Sequence, residues 1–170
     1  MQTLSSPARI VQGGPALHDL AADQRVLAFT IGSQSYAVDI LQVCEIRSYT
    51  EPLNISRSAA DLLGVINLRG EMVPVYDLRL RLGAVSPRYD EQTSVIVVER
   101  DGQRLGAVVD GVSDVLDLAA EHLRPMPFLP GLSSSGHLLG IATIDDQMLV
   151  LVDVASLMGP AADAAVEALH

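Results

Sequence analysis

Short blocks of aliphatic residues alternate with short polar turns from about residue 25 to residue 159. Most blocks are four to seven residues long and rich in Val, Ile and Leu, which is typical of β-strands bounded by turns. The predicted strands cover residues 26–31, 36–39, 62–68, 72–76, 94–99, 105–110, 112–118, 138–144 and 148–152. The pattern therefore predicts an all-β protein with a few short helices.

Three short helical segments interrupt this pattern. Apolar residues recur at helical spacing over residues 40–46, which predicts a short helix or helical turn after Asp39. Asp77 and Asp153 each follow a predicted strand and stand where an N-cap is expected, and Gly83 ends the first of these two helices.

The two halves of the folded region resemble each other, which predicts two similar β units. The matching stretches are 37–39 with 108–110, 64–68 with 140–144, and 74–78 with 150–154. Chance likeness of aliphatic strands that end in Asp is the alternative. A small sheet cannot bury both faces alone, so we expect two small barrels, at residues 25–90 and 91–159, that share an apolar interface. Exchange of strands between them is allowed by this prediction.

The ends of the chain lack a sustained period. Residues 1–24 combine Ser, Pro, Gly and scattered charges, so a mostly flexible tail is predicted, and residues 160–170 are predicted to be a tail or the end of the last helix. The start of the chain lacks the pattern of a signal peptide, and no apolar run approaches the roughly 20 residues of a membrane helix. A cytoplasmic location is therefore expected.

Composition narrows the function classes. Hydrophobic residues make up 49% of the 170 residues and aromatic residues only 4%, so the chain folds around an aliphatic core. The net charge of −10 repels nucleic-acid phosphates and anionic lipids, and all basic residues are Arg. We therefore expect neither a nucleic-acid partner nor direct membrane insertion.

No residue pattern for catalysis, metal or cofactor binding stands out. The chain lacks a glycine-rich phosphate loop followed by Lys and lacks a Gly-x-Ser-x-Gly elbow. Cys44, the single cysteine, has apolar neighbours, and no His lies at metal-ligand spacing from another His or Cys. The sequence accordingly predicts no catalytic residue, no cofactor and no metal site.

Four aspartates at strand ends leave one enzymatic alternative open. Asp39, Asp77, Asp110 and Asp153 each follow an apolar strand, where a carboxylate usually accepts backbone N–H groups as a cap. A small enzyme would instead bring these carboxylates together in one pocket with shifted pKa values.

Arg69 is the most distinctive polar residue. It lies in the tight turn Asn67-Leu68-Arg69-Gly70 between two apolar strands. Either it is an ordinary solvated turn charge, or its guanidinium projects toward a partner's carboxylate or backbone.

Taken in order and spacing, the motifs resemble the CheW family of chemotaxis coupling proteins. The matching stretches are residues 29–32, 36–47, 64–70, 73–79, 108–115 and 148–152. The resemblance covers residues 25–159 and implies two SH3-like, five-stranded β-barrel subdomains packed on a shared apolar core. It also implies an adaptor that joins a CheA-type histidine kinase to methyl-accepting chemoreceptors, in the cytoplasm at the membrane-associated receptor array.

The resemblance also implies which residues contact each partner. Those matching kinase-contact positions are Ile40, Val43 and Glu45, and those matching receptor-contact positions are Arg69, Gly106, Val112 and Val115. Glu45 matches an acidic residue that can pair with Arg69. Ser94 departs from the apolar residue frequent at its position in the receptor groove. A coupler of a non-flagellar chemosensory pathway would share this fold and these partner classes.

Overall fold

The computed structural model describes residues 24–54, 61–84, 86–126 and 138–158, and these residues form eleven strands in two mixed sheets. The strands are β1 (Gln24–Ile31), β2 (Gln34–Asp39), β3 (Val43–Ser48), β4 (Leu62–Leu68), β5 (Glu71–Asp77), β6 (Ser94–Arg100), β7 (Gln103–Val109), β8 (Gly111–Leu118), β9 (Leu123–Arg124), β10 (Leu138–Ile144) and β11 (Gln147–Val152). A short helix, α1 (Leu78–Arg81), and 3-10 turns at Ile40–Gln42 and Ala120–His122 connect them, and residues 154–158 are helical. The all-β prediction is confirmed.

The two sheets exchange strands across the middle of the chain. Sheet A has the order β8-β1-β2-β11-β10-β9, and sheet B has the order β3-β6-β7-β5-β4. The predicted five strands are therefore correct for sheet B, whereas sheet A has a sixth, because the two-residue strand β9 pairs with β10. The hairpin β1–β2 therefore lies among strands of the second half, and β6–β7 lies among strands of the first half. The predicted boundary near residue 90 does not divide one sheet from the other, because each sheet takes one hairpin from the other half.

The exchange is reciprocal down to the register of the strands. Phe29 pairs with Tyr36 in sheet A, and their counterparts Val98 and Leu105 pair in sheet B. The parallel pairs follow the same rule, since Leu151 pairs with Ala37 in sheet A and Val75 pairs with Gly106 in sheet B. Strands β1–β3 are therefore equivalent to β6–β8 at one constant offset, and β4–β5 are equivalent to β10–β11 at a slightly larger one.

The predicted match of residues 37–39 with 108–110 is wrong in register. In the observed register, Asp39 is equivalent to Val108, and Asp110 is equivalent to Leu41. The other two predicted matches, 64–68 with 140–144 and 74–78 with 150–154, agree with the pairing of the hairpins β4–β5 and β10–β11.

The hydrophobic core has three aliphatic layers, of which the central one joins the two sheets. The central layer includes Leu27, Val38, Ile96 and Ala107, which come from facing strands of both sheets. Each sheet buries its other face in a smaller layer of its own. These layers are Val26, Ala28, Ala37, Leu118, Leu123, Ala142, Leu149 and Leu151 in sheet A, and Leu68, Val73, Val75, Val95, Val97 and Val108 in sheet B. Burial on both faces explains why strands such as β6 read as continuous apolar runs.

The segment over residues 40–46 is only partly helical. Asp39 accepts a hydrogen bond from the Leu41 N–H and starts a 3-10 turn, but Val43 and Ile46 belong to strand β3. A bulge at Cys44 adds one residue to β3, so residues three apart reach the same face. This bulge imitates helical spacing in the sequence.

The other two predicted caps are confirmed in the described residues. The Asp77 carboxylate accepts the Arg79 N–H at the start of α1, and Gly83 follows the helix with φ of 106°. The Asp153 carboxylate accepts the Ser156 N–H where residues 154–158 become helical. The predicted tails at 1–24 and 160–170 lie, apart from Gln24, outside the described residues. No helix among those described is long and apolar enough to span a bilayer.

Candidate docking surfaces

Strands β3 and β8 occupy equivalent edges of the two sheets. Val43 and Ile46 of β3 face Val98 and Ile96 of β6. Val112 and Val115 of β8 pair in the same way with Phe29 and Leu27 of β1, and a bulge interrupts each pairing. Val43, implied in kinase contact, and Val112, implied in receptor contact, therefore lie at symmetry-related places, as do Ile46 and Val115.

Both edges expose aliphatic surface beside the central core. Val43 and Val112 are half-buried against that core, whereas Ile46 is 46% and Val115 52% exposed. Exposed aliphatic residues that continue a buried layer are suited to contact another apolar surface. Sequence reasoning missed Ile46, because its spacing from Val43 was attributed to a helix.

The 3-10 turn adds a second projection next to β3. Ile40 packs on the central core, while Leu41 is 88% exposed and its backbone N–H is held by Asp39 at 2.9 Å. Leu41 was also missed from the sequence, since only a tertiary structure shows which residue of the turn faces outward.

Arg69 and Glu45 form an ion pair across the end of sheet B. Arg69 lies at the tip of the β4–β5 hairpin, and its Nη2 lies 2.6 Å from Glu45 Oε2 on β3. The Arg69 side chain is 71% exposed, so its other donors face outward. Arg47 Nη1 lies 3.7 Å from the second oxygen of Glu45, so this carboxylate has two arginine neighbours.

The backbone at Arg69 has an unusual conformation for arginine. Its φ is 52° and that of Gly70 is 93°, as two-residue hairpins with a type I′ turn require. The equivalent first position is Asp101 in β6–β7 and Asp145 in β10–β11, and Asp tolerates positive φ better than Arg does. Arginine therefore occupies a strained position where the other three two-residue hairpins carry a residue suited to the turn, namely Gly32, Asp101 or Asp145.

Gly106 lies apart from Val112 and Val115, two of the other predicted receptor-contact residues. It is buried in the centre of sheet B between Val75 and Val97, whereas Val112 and Val115 lie on the edge of sheet A. A Cβ at Gly106 would come within 2.9 Å of Val95 Cγ1, so a glycine is required there by packing. Burial corrects the expectation that Gly106 itself forms part of a groove surface with the two valines.

Ser94 begins β6 at the edge of this region. Its hydroxyl donates to the Gln92 carbonyl at 3.0 Å, and its backbone pairs with Ser48 of β3. The local hydrogen bond satisfies the hydroxyl without a partner protein.

A buried arginine connects the ends of two strands of sheet B. Arg79 is 1% exposed, and its guanidinium donates to both oxygens of Asp77, to Asp110 Oδ1 and to the Arg88 carbonyl at 2.7 to 2.9 Å. Tyr89 covers the guanidinium at 4.8 Å and donates its hydroxyl to Asp77. Sequence reasoning missed Arg79, because nothing local distinguishes it from Arg81.

Electrostatic shifts at this cluster follow from its contacts. Burial and the hydrogen bond to Asp77 raise the pKa of Tyr89 to about 12. Burial alone would lower the pKa of Arg79, but its bonds to Asp77 and Asp110 raise it above the usual value. Partial burial would raise the pKa of Asp110, yet the Gly32 N–H and Arg79 bonds lower it. A hydrogen-bonded buried network of this kind makes the surrounding structure more rigid.

The four strand-end aspartates serve structural roles. Asp39, Asp77 and Asp153 cap turns or helices, and Asp110 accepts from Gly32 and Arg79. Burial and a hydrogen bond to Glu99 raise the pKa of the Cys44 thiol, which disfavours the nucleophilic thiolate. Within the described ranges, no group of three or more His, Cys, Asp or Glu could hold a metal ion.

Comparison with known proteins agrees with this architecture. The family model described as CheW-like domain matches residues 25–161. The chain belongs to the CheW family. It is 42% identical over 135 residues to the chemotaxis protein CheW of Klebsiella aerogenes, and the match covers 79% of this chain and 81% of that protein.

Two further CheW proteins agree. The probable chemotaxis protein CheW of Rhizobium etli is 36% identical, over 79% of this chain and 87% of its own length. The crystal structure of the scaffolding protein TtCheW from Thermoanaerobacter tengcongensis has a TM-score of 0.73 at 28% identity, over 80% of this chain and 92% of that one. CheW-family membership confirms the two SH3-like subdomains and gives this chain a scaffold role rather than an enzymatic one.

Proposed function

We propose that this CheW-family chain couples a CheA-type histidine kinase to the cytoplasmic tips of methyl-accepting chemoreceptors. The observation that carries the proposal is the pair of symmetry-related edges, β3 and β8, each with exposed aliphatic residues. Two separate docking edges on one rigid core allow one molecule to hold two different partners at a fixed distance. Arrays built this way gain strength from many linked weak contacts.

The kinase surface comprises Ile40, Val43 and Glu45, and we add Leu41 and Ile46. Leu41 is the most exposed large hydrophobic residue of the described chain, and Ile46 continues the apolar surface of Val43. An apolar centre with a charged margin at Glu45 is the usual composition of a specific protein interface.

The receptor surface comprises Val112 and Val115 on the edge of sheet A and Arg69 at the tip of the β4–β5 hairpin of sheet B, with Gly106 as a packing residue within sheet B. Val112 and Val115 supply an apolar stripe that suits the side of a helical hairpin. Glu45 orients the Arg69 guanidinium, whose remaining N–H donors are available to an acidic receptor residue. A cytoplasmic location at the membrane-associated array follows from these partners, and contact with receptor tips requires no insertion of this chain.

Binding measurements with a CheA-type regulatory domain and a receptor cytoplasmic fragment test the proposal. We expect Ile46→Asp to weaken kinase binding and Arg69→Ala to weaken receptor binding, each about tenfold, as interface residues do. Arg104→Ala is the matched control, because Arg104 is also an exposed arginine in an ion pair. Failure of the wild-type chain to bind either partner contradicts the proposal.

A coupler of a non-flagellar chemosensory pathway would use the same surfaces. The family and the fold are common to both, so the partner decides between them. Competition between regulatory domains from flagellar and non-flagellar kinases for the wild-type chain distinguishes the two, and the preferred kinase identifies the pathway.

A further inference from the structure

Sheets A and B end differently at equivalent places. In sheet B, the acid at the end of β5 is Asp77, and Arg79 two positions later neutralises it from within the protein. In sheet A, the equivalent acid after β11 is Asp153, and Ala155 stands at the place equivalent to Arg79. The buried arginine of sheet B therefore has no counterpart at the equivalent position of sheet A, and the cation nearest to Asp153 there is the half-exposed Arg100.

An open cleft of about 130 Å³ lies at this end of sheet A. Its walls are aliphatic, and its polar lining consists of Gln24, Asp39, Gln42 and Asp153. The corresponding end of sheet B is filled, since Tyr49 and Tyr89 pack there with ring centroids 4.7 Å apart. Leu118, the equivalent of Tyr49, is one of the cleft walls.

The cleft has acceptors in excess of donors. The Gln42 amide nitrogen donates to Asp153 Oδ1 at 3.3 Å, which leaves Gln42 Oε1 buried without a hydrogen-bond partner in the described structure. Asp153 also accepts from Ser156, and Arg100 Nη1 lies 4.0 Å from its Oδ2. Asp39 adds a second carboxylate at a place where sheet B has Val108.

We infer that this cleft receives a basic side chain from the kinase domain that docks on the 3-10 turn. The inference rests on the proposed function, because Ile40 and Leu41 lie between the cleft residues Asp39 and Gln42. A lysine or arginine has an apolar stem for the walls and a cationic head for the acceptors. The Arg79 site shows that this fold accommodates a buried cation beside the equivalent acid.

Affinity measurements with the isolated kinase regulatory domain test this inference. Asp39→Asn removes the charge but keeps an oxygen that can accept the Leu41 N–H, and we expect kinase binding to weaken about tenfold. Asp101→Asn is the matched control, since Asp101 lies in an exposed turn with positive φ that Asn tolerates. We expect this control to bind like the wild type.

Replacing the kinase domain's lysines and arginines by Met, one at a time, identifies the inserted side chain. One replacement is expected to weaken binding to the wild type but to have no further effect with Asp39→Asn. Equal binding by Asp39→Asn and Asp101→Asn overturns the inference. A second result would also overturn it. If Asp39→Asn no longer weakened kinase binding once residues 1–23 were removed, the cleft would be covered by this chain itself. Absence of any wild-type binding would instead contradict the proposed function.

Discussion

The guanidinium of Arg69 and the carboxylate of Glu45 meet at 2.6 Å, although one lies on a hairpin tip and the other on an edge strand. The pair connects the two opposite edges of sheet B, because β3 is the first strand in the order of that sheet and β4 is the last. Glu45 thereby fixes the direction of an arginine whose backbone is held at φ of 52°. The strain at Arg69 supports the proposal that this side chain serves recognition rather than folding.

Arg69→Asn separates these two roles. Asn tolerates positive φ, and an exposed ion pair contributes only about 0–1 kcal/mol, so we expect stability to rise by up to about 1 kcal/mol. Receptor binding is expected to fall at the same time. Urea denaturation and receptor-fragment binding measure the two effects. Asp101→Arg is the converse control and should lower stability by about 1 kcal/mol, because it places arginine in an equivalent turn.

Arg79→Met is expected to destabilise the protein by about 3–5 kcal/mol, because it leaves Asp77 buried without its cation. Chemical denaturation followed by circular dichroism measures the change. Arg104→Met, which disrupts an exposed ion pair, should have a much smaller effect on stability. Adding Asp77→Asn to Arg79→Met should restore part of the loss. A loss of under about 1 kcal/mol for Arg79→Met would show that the network does not hold the strand ends together.

A fall in pH should lower the stability of the fold through protonation of Asp110. Its pKa is lowered in the folded protein, so its contribution is complete above the ordinary carboxyl pKa of about 3.9 and is lost as pH falls through the lower folded value. The free energy of unfolding, measured against pH in the acid range, is expected to fall less steeply for Asp110→Asn than for the wild type. Asp101→Asn should keep the wild-type slope, and identical slopes for all three proteins would contradict the assignment.

A rise in pH should lower the stability of the fold through ionisation of Tyr89. Its folded pKa of about 12 lies above the unfolded value of about 10, so its contribution is present below about pH 10 and is lost as pH rises toward 12. Burial also raises the pKa of Tyr36 and Tyr49, so ultraviolet titration is expected to show several late-titrating tyrosines, of which the one near pH 12 disappears in Tyr89→Phe. An unchanged titration near pH 12 in the variant would contradict the assignment to Tyr89.

Gly106→Ala should destabilise the protein by about 1–3 kcal/mol, since the new methyl group meets Val95 Cγ1 at 2.9 Å in a packed layer. Val95→Ala in the same chain should restore part of the loss by making room for that methyl group. Thermal unfolding measures both. Weakened receptor binding by Gly106→Ala at unchanged stability would instead mean that Gly106 contacts the receptor directly.

The sequence pattern predicted the structure correctly where the deciding interactions are between residues close together in the chain. Aliphatic runs predicted the strands, and Asp77 and Asp153 were recognised as caps because a carboxylate at a strand end bonds the next backbone N–H groups. The segment 40–46 failed as a helix prediction because a bulge reproduces a three-residue spacing within a strand. Arg79 was missed because two of its hydrogen-bond partners, Arg88 and Asp110, lie 9 and 31 residues away along the chain.

The sequence alone determined the β class, the aliphatic core, the internal duplication and the family resemblance, since each depends on residue types and on their order. Only the tertiary structure decided which hairpin joins which sheet, that Gly106 is buried, and that one strand-end acid has an internal cation while its counterpart opens into a cleft. The physical reason is that pairing between strands and burial of charge depend on residues far apart in the chain. Their proximity is created by folding and is not encoded in any short stretch.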